Sequence, residues 1–155
     1  MQVDRYGNVN PSILPGRLPG PGGFPVISFG SPRIIFAGGF TAGRRDIRVK
    51  DRQLKIVKDG SVIKFVNQVY KIVYNGQVGL ERGQEVIYIT ERAVFRLMRD
   101  GLVLEEIAPG VDIEKDILVK MEFEPKISSK LKEMDKRLFL PEKMVLKEEI
   151  KEALG

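Results

Sequence analysis

Apolar and polar positions alternate most clearly in the middle of the chain, and that rhythm predicts strands. Arg33 to Ala37 is a short apolar run bounded by Pro32 and by Gly38-Gly39, the mark of a buried strand. Residues 53 to 66 read as a hairpin: Leu54-Lys55-Ile56-Val57, a turn at Asp59-Gly60, then Val62 to Val66. A further strand is expected from Val69 to Tyr74, ending at the turn pair Asn75-Gly76. Glu85 to Thr90 and Ala93 to Met98 are β-rich runs, and Asp100-Gly101 turns the second into Leu102 to Ile107. Strands at such short spacing make residues 44–107 a sheet, mixed or antiparallel.

Beyond Pro109-Gly110 the rhythm lengthens, and helices are expected over 112–139. Asp112 can cap one over about 113 to 121, with Ile113, Ile117 and Leu118 as its apolar stripe and Glu114 in the first turn. Ser128 or Ser129 caps another, with Leu131, Met134, Leu138 and Phe139 along one face. A terminal amphipathic helix over 140–155 places Met144, Val145, Ile150 and Leu154 among Lys and Glu, as a packing element or a subunit contact.

The first 43 residues obey neither rhythm. They hold nine of the 16 glycines and six of the nine prolines, so turns and close backbone approaches are expected there. The interleaved Val26, Ile27, Phe29 and Ile34 to Phe36 are too apolar for a linker, and such runs are expected to be buried. The segment reads as an ordered loop region on a core, or as a place where a ligand meets bare backbone.

Composition narrows the chemistry. The chain contains no histidine, cysteine or tryptophan, which excludes imidazole relays, thiolate nucleophiles, disulfides and most zinc or iron sites. Carboxylates, lysines, hydroxyls and backbone amides remain. The net charge of +5 is concentrated in residues 44–75, where nine basic side chains face three acidic ones. Arg44, Arg45, Arg48, Lys50, Arg52, Lys55, Lys58 and Lys64 mostly alternate with apolar positions, which suits the wet face of a sheet or contact with a small anionic ligand and argues against nucleic acid as a partner. No apolar stretch is long enough to span a bilayer and no apolar signal core follows Met1, so a cytoplasmic location without membrane contact is expected.

Gly20-Pro21-Gly22-Gly23 is the most unusual local string. It lacks the Gly-Lys-Ser/Thr of a phosphate loop and the spaced third glycine of a dinucleotide site. Gly38-Gly39-Phe40-Thr41-Ala42-Gly43 follows a strand and reads as a strand-end turn. Glu81 sits in a charged turn and is most simply solvated, whereas Glu91 beside Arg92 suggests an ion pair.

Taken together, several strings in order carry a resemblance. They are Gln2-Val3-Asp4 with Gly7-Asn8-Val9-Asn10, Gly20-x-Gly22-Gly23-Phe24, Ile34-Ile35-Phe36 with Phe40-Thr41-Ala42-Gly43, Tyr88 to Phe95, and Glu106 to Asp112. From about residue 2 to Phe139 the chain closely resembles the C-terminal part of the β half of family I CoA-transferases. Those enzymes act on short-chain acyl-CoAs such as acetyl-, propionyl- and 3-oxoacyl-CoA.

The resemblance implies an α/β fold: the open CoA-transferase sandwich, here incomplete, with a β-rich middle and C-terminal helices. It implies a ping-pong transfer through an acyl-glutamyl anhydride and a glutamyl-CoA thioester, with coenzyme A as substrate carrier and no cofactor or metal. The family's nucleophilic glutamate lies upstream of Gly7-Asn8-Val9-Asn10, so no catalytic residue is expected among these residues. Gly20, Gly22, Gly23 and Phe24 are the expected contacts to CoA or an oxyanion, and Pro21, which has no amide hydrogen, cannot donate. Asn8, Asn10, Thr41 and Gly43 are possible pocket residues. The expected partners are the N-terminal CoA-transferase segment or α subunit, acyl-CoA, and further copies in a homo- or hetero-oligomer. A non-catalytic, self-associating module that keeps this half-fold is the alternative.

Overall fold

The computed structural model describes residues 1–144, 146, 147, 150 and 151. In chain order the elements are β1 (Gln2–Asp4), β2 (Val9–Asn10), α1 (Phe24–Gly30), β3 (Arg33–Ala37), β4 (Thr41–Ala42), β5 (Asp46–Lys50), β6 (Gln53–Lys58), β7 (Val62–Ile63) and β8 (Phe65–Val66). Then follow α2 (Gly76–Glu81), β9 (Glu85–Ile89), β10 (Ala93–Met98), β11 (Gly101–Ile107) and β12 (Lys126–Glu133).

The principal sheet has the order β12-β11-β10-β9-β3. Its middle is the antiparallel meander β9-β10-β11, while β3 joins β9, and β12 joins β11, in parallel. A three-stranded sheet, β2-β1-β8, and two short ladders, β4-β7 and β5-β6, complete the mixed α/β architecture.

Alternation decides the faces. Ile34 and Phe36, Val86 and Tyr88, Phe95 and Leu97, and Leu102 and Leu104 all point inward and are buried. Each such side chain contributes roughly 1.5–3 kcal/mol by leaving water. The aromatics pack as a continuous group: Phe36 lies 5.4 Å from Tyr88 and 5.2 Å from Tyr74, and Phe65 bridges Phe40 at 4.8 Å and Phe95 at 5.1 Å. Tyr88 also donates its hydroxyl to Gly7 O at 2.6 Å, so its one polar atom is satisfied.

The outer face is divided. One end is a charged ladder in which Glu85 is held by Arg33 and Arg96, and Arg96 also reaches Glu105 at 3.0 Å. The other end is apolar, and β6 and the turn at 136–139 roof it over a groove of about 520 Å³ lined by Leu54, Ile87, Ile89, Val94, Met134 and Phe139.

Several expected elements differ. The hairpin is β5-β6, turning at Asp51-Arg52, not one turning at Asp59-Gly60. Both turn residues adopt positive φ, 55° and 62°, which matches the strand twist of a two-residue hairpin loop although neither is glycine. Gly60 serves another purpose: a Cβ there would lie 2.3 Å from Ala42 O, so its backbone can approach only as glycine.

No strand forms over Val69–Tyr74, where Tyr74 makes only a single bridge to Val9. Asn75-Gly76 opens α2 instead of ending a strand, with the Asn75 side chain accepting from Val78 N at 3.1 Å. The helix expected after Ser128 or Ser129 is the edge strand β12, whose exposed lysines suit an unpaired rim. Within the expected span, the 3₁₀ turn Lys136–Phe139 follows it.

Asp112 does cap the expected helical segment, accepting from Lys115 N at 2.9 Å. That segment is a wide turn over Ile113–Ile117 continuing into a tight one over Leu118–Lys120. The first 43 residues also contain one short helix, α1, and its Val26 and Ile27 are exposed, not buried as expected of apolar runs. The terminal amphipathic helix expected over 140–155 runs through residues that lie outside the described ones.

Candidate functional site

The site is built where two parallel strands end together. Ala37 of β3 is paired with Ile89 of β9, and Gly38 N continues the ladder to Ile89 O at 3.0 Å. Ligands of open α/β sheets lie beyond such carboxyl ends, where the chain leaves the sheet and its polar groups turn outward. Here the segments leaving are Gly38-Gly39-Phe40 and Thr90-Glu91-Arg92.

A buried ion network fixes this end. Arg92 is fully buried and makes a two-point bond to Asp59, Nη1 to Oδ2 at 2.8 Å and Nη2 to Oδ1 at 2.9 Å. It also donates to Glu91 at 2.9 Å and to Asp116 O at 3.0 Å, and its guanidinium lies 4.9 Å over the Phe40 ring. Glu91 in turn accepts from Phe40 N at 2.8 Å, so the expected Glu91–Arg92 ion pair exists but belongs to a larger assembly. Burial alone would raise the Asp59 carboxyl, but hydrogen bonds from Arg92 and Thr41, the Arg92 charge and the Gly60 amide outweigh it and hold the group at about 2.

Thr41 and Gly43 lie on the loop leaving β3. Thr41 is buried, donating to Asp59 Oδ1 at 2.5 Å and accepting from Gly60 N at 3.1 Å, so its hydroxyl is committed inside the protein. Gly43, at φ 95°, turns the loop back and is exposed. The return brings Arg45 over Gly39, where its Nη1 donates to Thr41 O at 2.7 Å. Lys64, one residue beyond β7, donates to Gly39 O from the other side. Burial first, then the Arg45 charge, lowers the pKa of Lys64, against a weaker pull from Glu91.

The Gly20-Pro21-Gly22-Gly23 loop sits next to this end. Phe24, the first residue of α1, stacks 5.8 Å from Phe36, the penultimate residue of β3. Gly20, Gly22 and Gly23 are exposed, and a Cβ at Gly20 or Gly22 would meet nothing within 4 Å. Gly22 has φ 57°. The Phe24 amide is taken by Pro21 O at 3.2 Å, whereas among the described residues no acceptor accompanies the amides of Gly22 and Gly23. A cavity of about 240 Å³ lined by Met1, Gln2, Asn10, Leu14, Arg17 and Pro19 borders the loop on its N-terminal side.

Asn8 and Asn10 have structural partners. Asn8 donates to Asp4 at 3.0 Å and accepts from Gly76 N at 3.1 Å, tying the chain to the start of α2. Asn10 donates to Gln2 Oε1 at 2.9 Å and Ile13 O at 2.6 Å, and accepts from Ile13 N at 2.9 Å. Glu81 ends α2 in solvent. Among the described residues no group of three or more His, Cys, Asp or Glu could hold a metal ion. No helix among them is long and apolar enough to cross a membrane.

Sequence reasoning had Arg45 and Lys64 only as members of a basic stretch, without their convergence, and missed the pairing of Asp59 with Arg92. Bare Gly39, which leaves room for the Arg45 guanidinium, is the signal that could have found the convergence.

This arrangement has relatives. The chain is 52% identical to the acetate CoA-transferase YdiF of Escherichia coli K12 over 139 residues, 90% of this chain. The solved acyl-CoA transferase YdiF of E. coli O157:H7 superposes with a TM-score of 0.89 at 51% identity over 91% of this chain. The chain is a relative of the CoA-transferases. A caffeate CoA-transferase of Acetobacterium woodii is 43% identical over 143 residues. The chain spans 26% and 27% of the lengths of these two curated CoA-transferases, so it corresponds to one segment of them. No family model matches the chain. The mixed, incomplete CoA-transferase fold expected from the sequence is the fold observed.

Proposed function

We propose that these residues form the part of an acyl-CoA:carboxylate CoA-transferase that contacts CoA and the thioester, and that the nucleophilic glutamate comes from a segment outside them. The observation carrying this reading is the pair of amides at Gly22 and Gly23, without acceptors and without side chains to shield them, beside the carboxyl end of β3. Attack on a thioester builds negative charge on its oxygen, and two amides already oriented toward that oxygen stabilise it without reorganising. Gly20 leaves the approach open. Phe24 contributes its ring as the anchor of the loop, because its amide is occupied.

The reading places these residues in the C-terminal part of the β half, with residues 1–43 carrying the site loops. Turnover then needs the partner segment, and these 155 residues alone exchange CoA between acetate and acetyl-CoA at a negligible rate. Calorimetry with CoA tests the loop directly. Gly23 has φ −76° and ψ −2°, a conformation proline accepts, so Gly23→Pro removes one amide hydrogen while keeping the backbone. The variant is expected to bind CoA several-fold more weakly and to melt like the parent. Equal affinity in parent and variant, or ordinary transferase rates from these residues alone, would refute the proposal.

A second reading rests on the edge of the main sheet. Among the described residues β3 is paired on one side only, Ile35 on its outer face is 51% exposed, and Val26 and Ile27 of α1 are exposed as well. A self-associating, non-catalytic module would bury this edge. Concentration-dependent sedimentation without CoA binding would favour it.

A further inference from the structure

Two cations are held beside one another where β3 and β9 end, and among the described residues neither has a carboxylate within ion-pair distance. Arg45 and Lys64 both lie over Gly38-Gly39. A Cβ at Gly39 would stand 1.5 Å from Arg45 Nη1, and one at Gly38 would stand 3.4 Å from Lys64 Nζ. Only bare backbone at Gly39 lets the guanidinium settle so low, whereas a Cβ at Gly38 would make no more than ordinary contact with the ammonium. Their present acceptors are neutral carbonyls, Thr41 O for Arg45 and Gly39 O for Lys64. The nearby carboxylates are spent elsewhere: Asp59 and Glu91 are bound to Arg92. Arg92, Arg45 and Lys64 thus face two carboxylates, and the Met1 ammonium, which feels the Lys64 charge, adds to that positive excess; Lys64 is half-buried, where an unneutralised ammonium is costly. Like charges in such proximity repel, and an anion seated between them reverses that term.

We propose that Arg45 and Lys64 form an anion clamp over Gly38-Gly39 that takes a carboxylate or phosphate group. The planar guanidinium supplies a two-donor edge and the ammonium a mobile third donor. The clamp deepens the CoA-transferase reading, since acyl acceptors carry a carboxylate and CoA carries phosphates. It uses neither of the Gly22 and Gly23 amides, so either feature can fail without the other.

The test uses the ¹⁵N-labelled chain titrated, at constant ionic strength, with inorganic phosphate, acetate and adenosine 3′,5′-bisphosphate. Saturable shifts are expected at the Gly38, Gly39 and Gly43 amides and the Arg45 Nε. Lys64→Met and Arg45→Met each weaken binding by about tenfold, as loss of a charged donor does. Gly39→Ala, which keeps both charges but displaces the guanidinium, weakens it as well. At low salt Lys64→Met melts no lower than the parent, because repulsion is relieved while binding is lost. Response to both phosphate probes but not acetate assigns a phosphate, and response to acetate alone assigns a carboxylate; either outcome supports the clamp. Shifts that persist in all three variants, map elsewhere, or never saturate in the parent overturn it.

Discussion

The Arg92–Asp59 pair joins the turn entering β10 to the loop before β7, and its removal should unsettle the candidate site before anything else. Asp59→Asn keeps the shape and one acceptor oxygen but leaves the fully buried Arg92 guanidinium with Glu91 as its remaining carboxylate, beside the Asp116 carbonyl. Removing one partner of a buried pair costs about 3–5 kcal/mol when the other charge is left uncompensated; with Glu91 still bound to Arg92 about 1–3 kcal/mol is expected, against the roughly 5–15 kcal/mol that holds a domain of this size. Arg92→Met strands Asp59 in the same way. The double variant Asp59→Asn/Arg92→Met leaves neither charge unpaired, so its loss should be smaller than the sum of the singles by roughly 1–3 kcal/mol. Urea denaturation at pH 7 measures all four corners of the cycle.

The same pair has an acid signature. The Asp59 carboxyl falls from its usual 3.8 to about 2 in the folded chain. At about 1.36 kcal/mol per tenfold change this is at most roughly 2.5 kcal/mol, and screening at its open side reduces it to about 1–2 kcal/mol. A folded pKa below the unfolded one means this contribution is complete above about pH 4 and disappears as pH falls toward 2. Stability of the parent should decline through that window more steeply than that of Asp59→Asn. If the single costs simply add, or if the two acid limbs are parallel, the network does not anchor the loop.

Three further outcomes are expected. Gly60→Ala drives a methyl to 2.3 Å from Ala42 O, a backbone atom that cannot step aside, and should cost about 1–3 kcal/mol in thermal or urea unfolding. Tyr88→Phe removes the bond to Gly7 O and leaves a buried carbonyl unsatisfied, for about 1–2 kcal/mol. Burial, reinforced by Tyr74 and Asp4, pushes the Tyr88 hydroxyl well above its usual 10, so the parent should lose stability as pH rises beyond that value and Tyr88→Phe should lose less. Gly76→Ala meets Tyr6 O at 2.5 Å and should detach α2 from the Asn8 turn, read as faster amide exchange at Gly76.

The strands β3, β9, β10 and β11 were legible because each is half-buried, and half-burial writes itself as alternation. Errors came where a local pattern had two causes. Asp59-Gly60 has the form of a hairpin turn, but its glycine answers a contact with Ala42, eighteen residues away in sequence, and the true turn at Asp51-Arg52 carries no glycine. Leu131, Met134 and Leu138 imitate a helical stripe, yet pairing with β11 makes residues 126–133 a strand. The Gly20–Gly23 loop was visible in sequence because glycine density is a local property. The partnership of Asp59 with Arg92, and of Arg45 with Lys64, joins segments that meet only after the sheet forms, so no spacing announces it.

The order of the main sheet also bears on how the molecule assembles. The meander β9-β10-β11 closes over short turns, whereas β3 must find β9 across a span of nearly fifty residues and β1 must find β8 across some sixty. Loop closure over such spans is entropically slow relative to a hairpin. The meander is then the template, and the glycine loop and the strand ends beside it are late arrivals with the fewest local contacts. Amide exchange in the native state should reach residues 14–24 first and the β10-β11 ladder last, which leaves the half of the chain proposed to meet ligand the more pliable half.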